Sequence, residues 1–180
     1  SYVEAHGTAT PLGDAVEFAA LNAAFRSRGA AKKSYCALAS VKTNIGHLDS
    51  AAGIAGFIKA VLSLKHGWIP PSLHFERGSS ECDFGSSPFF VPTKALRWDA
   101  PLRYTGLSSF GLGGTNAHVI LRNAPQPTKV QRKEGGLRLL PLSAKSMVAL
   151  ESATTALAEY LKDDKGATLD EALQTLEEGR

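Results

Sequence analysis

The chain has 180 residues, 43% of them hydrophobic and 21% charged, and a formal net charge of +3. That size suits one domain, or one domain with a small appendage, and the composition excludes a mainly disordered, collagen-like or coiled-coil chain. No run approaches the roughly 18 apolar residues that a bilayer span needs, and the small, dispersed positive excess does not argue for nucleic acid.

The sequence opens directly on a strand pattern, Tyr2 to Ala5, and its one methionine is Met147. A piece of a longer polypeptide is therefore expected. No basic stretch followed by an apolar one opens it, so no secretion signal is read and a reducing cytoplasm is the default location. Asp14 with Glu17 three residues on reads as a capping box, starting a helix that runs to about Phe25. Ser27 to Lys33 is a basic loop, and Tyr35 to Val41 is the near-continuous apolar run of a buried parallel strand. From Leu48 to His66 apolar residues cover most of a helix circumference, which predicts a buried helix. Its small residues, Ala51 to Gly53, Ala55 and Gly56, allow close approach by a neighbour. Gly67 ends it and Pro70-Pro71 prevents its resumption. Short strands are predicted at Phe89 to Val91, Tyr104 to Ser108 and Ala117 to Leu121.

Composition changes near residue 123. Residues 123–136 are polar, with two prolines and two glycines, and read as a connector. Residues 137–180 then form a second, small α+β unit: a strand from Leu137 to Leu142, an amphipathic helix from Ser146 to Lys162, and a short helix from Leu169 to Leu176.

Three Gly-punctuated segments lie at strand ends, where open α/β sheets place their sites. His6 to Asp14 (HGTATPLGD) can present an imidazole and two hydroxyls, although a lone His in a turn is more often structural. Lys42 to His47 (KTNIGH) runs into the long helix. The positive end of the helix dipole there favours a neutral His47 ring that can donate a hydrogen bond. Lys42, at the exit of a buried strand, needs an anionic partner, and Asn44 could serve as a helix cap. Ser108 to Asn116 (SSFGLGGTN) has three glycines within four residues, which free backbone N–H groups to converge as in an oxyanion hole. It opens no helix and has no GK[ST], so a phosphate-binding reading is weak. Cys36, inside an apolar strand, reads as a packing residue, and Cys82, in a Ser/Gly-rich loop, as exposed. Neither has the spacing of a zinc or redox motif, and no metal site is expected.

Taken together, HGTATPLGD, SVKTNIGHLDSAAGIAGFIKAVL and SSFGLGGTNAHVIL resemble the three C-terminal signatures of β-ketoacyl synthases, and HGWIPPSLHFE is similar to modular polyketide synthase ketosynthases. The resemblance covers residues 1–122; residues 123–180 are more loosely similar to the linker between ketosynthase and acyltransferase. It implies the C-terminal part of a thiolase-like α-β-α-β-α fold with a mixed sheet. A sheet that normally packs on the other half would then expose an apolar face when isolated.

The implied activity is decarboxylative Claisen condensation, with substrates carried on the phosphopantetheine of an acyl carrier protein and no cofactor bound. Carried over by position, His6 and His47 match the two catalytic histidines and Lys42 the motif lysine, with Glu17 as its carboxylate partner and Asn44 in support. Thr8 and Thr10 match hydroxyls that contact phosphopantetheine. Leu112 matches the oxyanion donor and acyl gate, with Phe110 packed beneath. The family's nucleophilic Cys belongs to its N-terminal half, and neither Cys36 nor Cys82 matches it, so no condensation is expected from this chain alone. Implied partners are the acyl carrier protein, the N-terminal part of the ketosynthase, an acyltransferase domain and a second copy in a homodimer, with no nucleic acid and no membrane. A non-catalytic structural or interaction segment of a megasynthase is the alternative.

Overall fold

A computed structural model describes residues 1–27, 29, 32–125, 139–162 and 168–178. Residues 1–125 and 126–180 form two compact units.

In the first unit a strand, β1 (Tyr2–Glu4), leads through a tight turn into α1 (Pro11–Arg26). The helix starts three residues before the predicted Asp14 cap. Pro11 supplies a φ already suited to the first helical turn, and Thr10 is the cap, its Oγ1 accepting the Gly13 N–H at 3.2 Å. Asp14 instead accepts the Ala9 N–H at 3.2 Å. This braces a turn in which Ala9 sits at φ 60°, a left-handed conformation costly for a residue with a Cβ.

The next strand, β2 (Cys36–Ala39), runs parallel to β1, with Val3 opposite Leu38. One helical turn, α2 (Lys42–Ile45), and a 3₁₀ turn (Asp49–Ala51) precede α3 (Ala52–His66). Gly67 closes α3 in the left-handed conformation, φ 66°, its N–H donating to the Ser63 carbonyl at 3.0 Å. Two short strands, β3 (Trp68–Ile69) and β5 (Leu96–Arg97), pair antiparallel in a ribbon that the sequence pattern did not announce. Between them lies β4 (Phe89–Phe90), parallel to β2. The unit ends in a hairpin of β6 (Tyr104–Phe110) and β7 (Asn116–Arg122). The main sheet has the order β4-β2-β1-β6-β7, parallel except for β7.

Alternation along the strands makes two apolar layers. Tyr2, Ala37 and Ala39 pack with Leu64 of α3, Ile69 and Trp98. On the other face Val3, Cys36 and Phe89 pack with Phe18 of α1, and Cys82 is half-buried against this layer rather than exposed. Phe84, beside it, packs on Phe18 with ring centres 4.7 Å apart, which draws the Ser/Gly-rich loop and its thiol inward.

The long helix is not buried all round. Ala52, Gly56, Lys59, Ala60, Ser63 and Leu64 face inward, while Ile54, Ile58 and Leu62 are 58%, 52% and 47% exposed. The reason is distance. A Cβ on Gly53 would sit 2.8 Å from Ser109 Oγ, and one on Gly56 3.0 Å from Leu107 Cδ1, so at these two positions α3 lies too close to β6 for any side chain to point inward.

In the second unit α4 (Met147–Lys162) begins with the Ala149 N–H donating to Ser146 Oγ at 3.3 Å. A reciprocal capping box starts α5 (Leu169–Glu178): the Thr168 N–H donates to Glu171 Oε2 at 2.7 Å, and the Glu171 N–H to Thr168 Oγ1 at 3.3 Å. Ala172 and Leu173 are buried. No strand forms over 139–142, where Pro141 has no N–H to give a ladder. The rest of that predicted strand and most of the predicted connector lie outside the described residues.

Gly56→Ala is expected to destabilise the fold by about 1–3 kcal/mol, because the added methyl must displace Leu107 or Glu4. Chemical denaturation checks this, and an unchanged midpoint would contradict the close approach.

Candidate active site

Parallel pairing of β1 and β2 brings the turns that follow them to the same end of the sheet. His6 leaves β1 there, and α2 with His47 follows β2. The two imidazole rings stand 6.0 Å apart, centre to centre, and almost perpendicular. Each is held from behind by a main-chain amide. The Phe110 N–H donates to His6 Nδ1 at 3.3 Å, and the Asp49 N–H donates to His47 Nδ1 at 2.9 Å. A neutral imidazole accepts on one nitrogen and donates from the other. With Nδ1 accepting in both rings, the proton of each neutral ring sits on Nε2.

Burial and neighbouring charge favour the neutral form of His6. Burial, then the Lys42 ammonium, then His47 hold its ring below the ordinary histidine range, with Asp14 opposing. Lys42 Nζ donates to the main-chain carbonyl of His6. Burial lowers the Lys42 ammonium's pKa, while the carboxylates of Glu4, Glu17 and Asp14 act to raise it.

The Glu17 carboxylate does not pair directly with Lys42, nor does it close a capping box with Asp14. It turns to the backbone after β1, accepting the His6 N–H at 2.8 Å and the Gly7 N–H at 2.9 Å. Burial raises its pKa, and those two amides work against that rise. The reason for the difference is geometric: two unsatisfied N–H groups of the His6 turn lie beside a buried carboxylate, and they take it. Gly7, at φ 47° with its Cβ position 3.0 Å from Ser40 Cβ, leaves room for nothing larger.

The remaining predicted residues divide. Thr8 is half-buried and Thr10 exposed, their hydroxyls 3.4 Å apart, with Thr10 Oγ1 also serving as the α1 cap. Asn44 does not cap a helix; its Nδ2 donates to the Pro71 carbonyl at 3.2 Å and ties α2 to the proline pair. Phe110 packs on His6 at 5.4 Å between ring centres. Leu112 stands fully exposed at the tip of the β6–β7 turn. That turn is closed by the Gly111 N–H donating to the Thr115 carbonyl at 2.8 Å, with Gly114 at φ 87°.

Cys36 is fully buried, and burial pushes its thiol up to about 12; burial also raises Cys82. Neither is a ready thiolate at neutral pH. Among the described residues no group of three His, Cys, Asp or Glu side chains could hold a metal ion, and no helix is long and apolar enough to cross a membrane.

Sequence reasoning passed over Glu4. Its carboxylate is fully buried and pairs with Lys59 at 3.0 Å. A charge inside the apolar strand Tyr2-Val3-Glu4-Ala5, and a lysine in the middle of a mostly apolar helix, were the available signals.

The family model for the β-ketoacyl synthase C-terminal domain matches residues 1–76, and that for the ketoacyl-synthetase C-terminal extension matches residues 79–179. The chain belongs to the β-ketoacyl synthase family. It is 44% identical over 180 residues to one of the phenolphthiocerol/phthiocerol polyketide synthase proteins of Mycobacterium tuberculosis, covering 98% of this chain and 12% of that protein. Another protein of the same synthase and species is 45% identical over 167 residues, covering 90% and 10%. The chain thus spans about an eighth or less of the curated relatives it matches. Among solved structures it is similar to ketosynthase twelve of the bacillaene polyketide synthase of Bacillus amyloliquefaciens: 38% identity, TM-score 0.67, covering 98% of this chain and 31% of that one. It is also similar to the module 1 ketosynthase of the bacillaene synthase of that species: 40% identity, TM-score 0.66, covering 100% and 30%. The mixed sheet with its helices is accordingly the C-terminal part of a thiolase-like ketosynthase fold.

A ring whose folded pKa is depressed contributes stability that is present above the ordinary histidine range and lost as pH falls through it. Lys42→Gln removes one cause, so the His6 midpoint in an NMR titration is expected to move upward. A midpoint that stays put or falls would contradict the ammonium's part.

Proposed function

We propose that this chain supplies the histidine half of the condensing site of a polyketide synthase ketosynthase, with the nucleophilic Cys contributed by the N-terminal half of that domain. The carrying observation is the pair of imidazoles 6.0 Å apart, each with Nδ1 occupied by a main-chain N–H. Two N–H···O bonds of about 2.9 Å to one shared oxygen suit rings at this separation. The oxygen is the thioester carbonyl of a malonyl-type extender. As CO2 leaves, charge develops on that oxygen, and two preorganised neutral donors stabilise the enolate without having to reorganise. The enolate carbon then attacks the acyl thioester on the Cys, and the thiolate leaves.

Lys42 and Glu17 are positioning residues in this scheme. Lys42 holds the His6 carbonyl, and Glu17 holds the His6 and Gly7 N–H groups, so both grip the strand exit that carries the ring. Thr8, half-buried, and Thr10, exposed, lie beside it and receive the phosphopantetheine arm of an acyl carrier protein. Phe110 and Leu112 line the acyl side, with the Leu112 N–H as oxyanion donor. Residues 1–122 act as the ketosynthase part, 123–136 as connector and 137–180 as the start of the linker to an acyltransferase, within a homodimeric, cytoplasmic megasynthase. No bound cofactor is required, since the substrates arrive on carrier phosphopantetheine.

In a ketosynthase polypeptide carrying this chain, His6→Ala and His47→Ala are each expected to slow extender decarboxylation about 10²–10³-fold, the usual cost of losing one oxyanion donor. Unchanged rates in folded variants would contradict the assignment. The 180-residue chain alone is expected to form no acyl-enzyme. Acylation of Cys36 or Cys82 followed by extender-dependent elongation would overturn the missing-nucleophile reading.

A further inference from the structure

We propose that Glu4 is a positioning residue for this site, a buried clamp that fixes the Lys42 and His47 arm against the His6 arm. The inference rests on the ketosynthase reading and adds a residue to it.

Glu4 ends β1, two residues before His6, and is 0% exposed. Its carboxylate has three partners from three elements. Tyr2 OH donates to Oε2 from β1 itself, the Val41 N–H donates to Oε1 from the N-cap of α2, and Lys59 Nζ of α3 lies 3.0 Å from Oε2. Lys59 is 8% exposed, so the ion pair is out of water. α3 approaches closely enough because residue 56 is glycine; a Cβ there would sit 3.2 Å from Glu4 Cγ.

Stability does not account for this arrangement. A buried ion pair is commonly no more stabilising than apolar residues of the same volume. What the carboxylate does hold is Val41. That residue precedes α2 as its N-cap and has no side-chain cap of its own. Lys42 follows it directly, reaching back to the His6 carbonyl, and His47 follows at the far end of the same short segment. One carboxylate thus joins the base of both arms, while Lys59 balances its charge from the helix.

The test separates the acceptor from the charge. In a ketosynthase polypeptide carrying this chain, E4A/K59M removes both the buried charge and the acceptor for the Val41 N–H, whereas E4Q/K59M removes the charge and keeps an acceptor. Thermal melting establishes which variants fold. Extender decarboxylation gives kcat and KM, and hydrogen exchange of the Val41–Ile45 amides reads the clamp without needing activity. E4A/K59M is expected to lose about a hundredfold in kcat at unchanged KM, the scale of a small misplacement of reacting groups, with faster exchange over 41–45. E4Q/K59M is expected to restore both. Unchanged kcat in E4A/K59M overturns the proposal, even with faster exchange, because the role is then structural only. Equal loss in both double variants also overturns it. If the parent polypeptide shows no decarboxylation, the ketosynthase reading fails instead. The exchange comparison still decides the clamp: protection lost in E4A/K59M and kept in E4Q/K59M supports it, and any other pattern overturns it.

Discussion

A main-chain N–H aimed at Nδ1 of each imidazole is the constraint on which the proposed chemistry depends. Phe110 provides one and Asp49 the other. A histidine left to itself exchanges tautomers and can turn either nitrogen to a ligand. Here the amide behind each ring removes that freedom, and the remaining donor is Nε2–H. The amides come from different places. Phe110 is the last residue of β6, and Asp49 opens the 3₁₀ turn before α3. Pairing of β6 with β1, and the turn between α2 and α3, therefore select the proton's location as much as the histidines do.

The charged groups around the site serve the same end. In a dry interior an ammonium and a carboxylate attract each other strongly, yet Lys42 and Glu17 meet the peptide backbone instead. Lys42 takes the His6 carbonyl and Glu17 takes the His6 and Gly7 N–H groups, so the peptide links on both sides of His6 are fixed by full charges. Hydrogen bonds to charged groups are stronger than neutral ones. A turn containing Ala9 in a left-handed conformation needs such bracing. Lys42 also has an electrostatic effect, since its ammonium helps keep the nearby His6 ring uncharged.

Much of this was legible in the residues. The apolar run before Lys42, the strand before His6 and the glycines after Phe110 pointed to the strand ends, where the two histidine rings do meet. Gly67 marked the end of α3. The differences arise where local signals had two physical solutions. Asp14 and Thr10 can both cap a helix, and Pro11 settled the choice by starting the helix earlier. An apolar circumference on α3 looked like burial, but the closeness of β6 at Gly53 and Gly56 turned Ile54, Ile58 and Leu62 outward. Glu17 looked like a partner for a lysine, yet open main-chain amides lay nearer. Leu137 to Leu142 had the composition of a strand, and within its described part, 139–142, Pro141 has no N–H to give a ladder. The β3–β5 ribbon is two residues wide on each side, too short for a period to show. Glu4 and Lys59 were visible as charges in apolar settings; their partnership was not, because it joins a strand to a helix more than fifty positions away.

The most direct measurement is a structure of a ketosynthase carrying this chain with a non-hydrolysable malonyl thioester analogue bound. The account predicts the analogue's thioester oxygen within hydrogen-bonding distance of Nε2 of both His6 and His47, with Nδ1 of each ring still on its main-chain amide. An oxygen bound away from either ring, or a ring turned to present Nδ1, would contradict it.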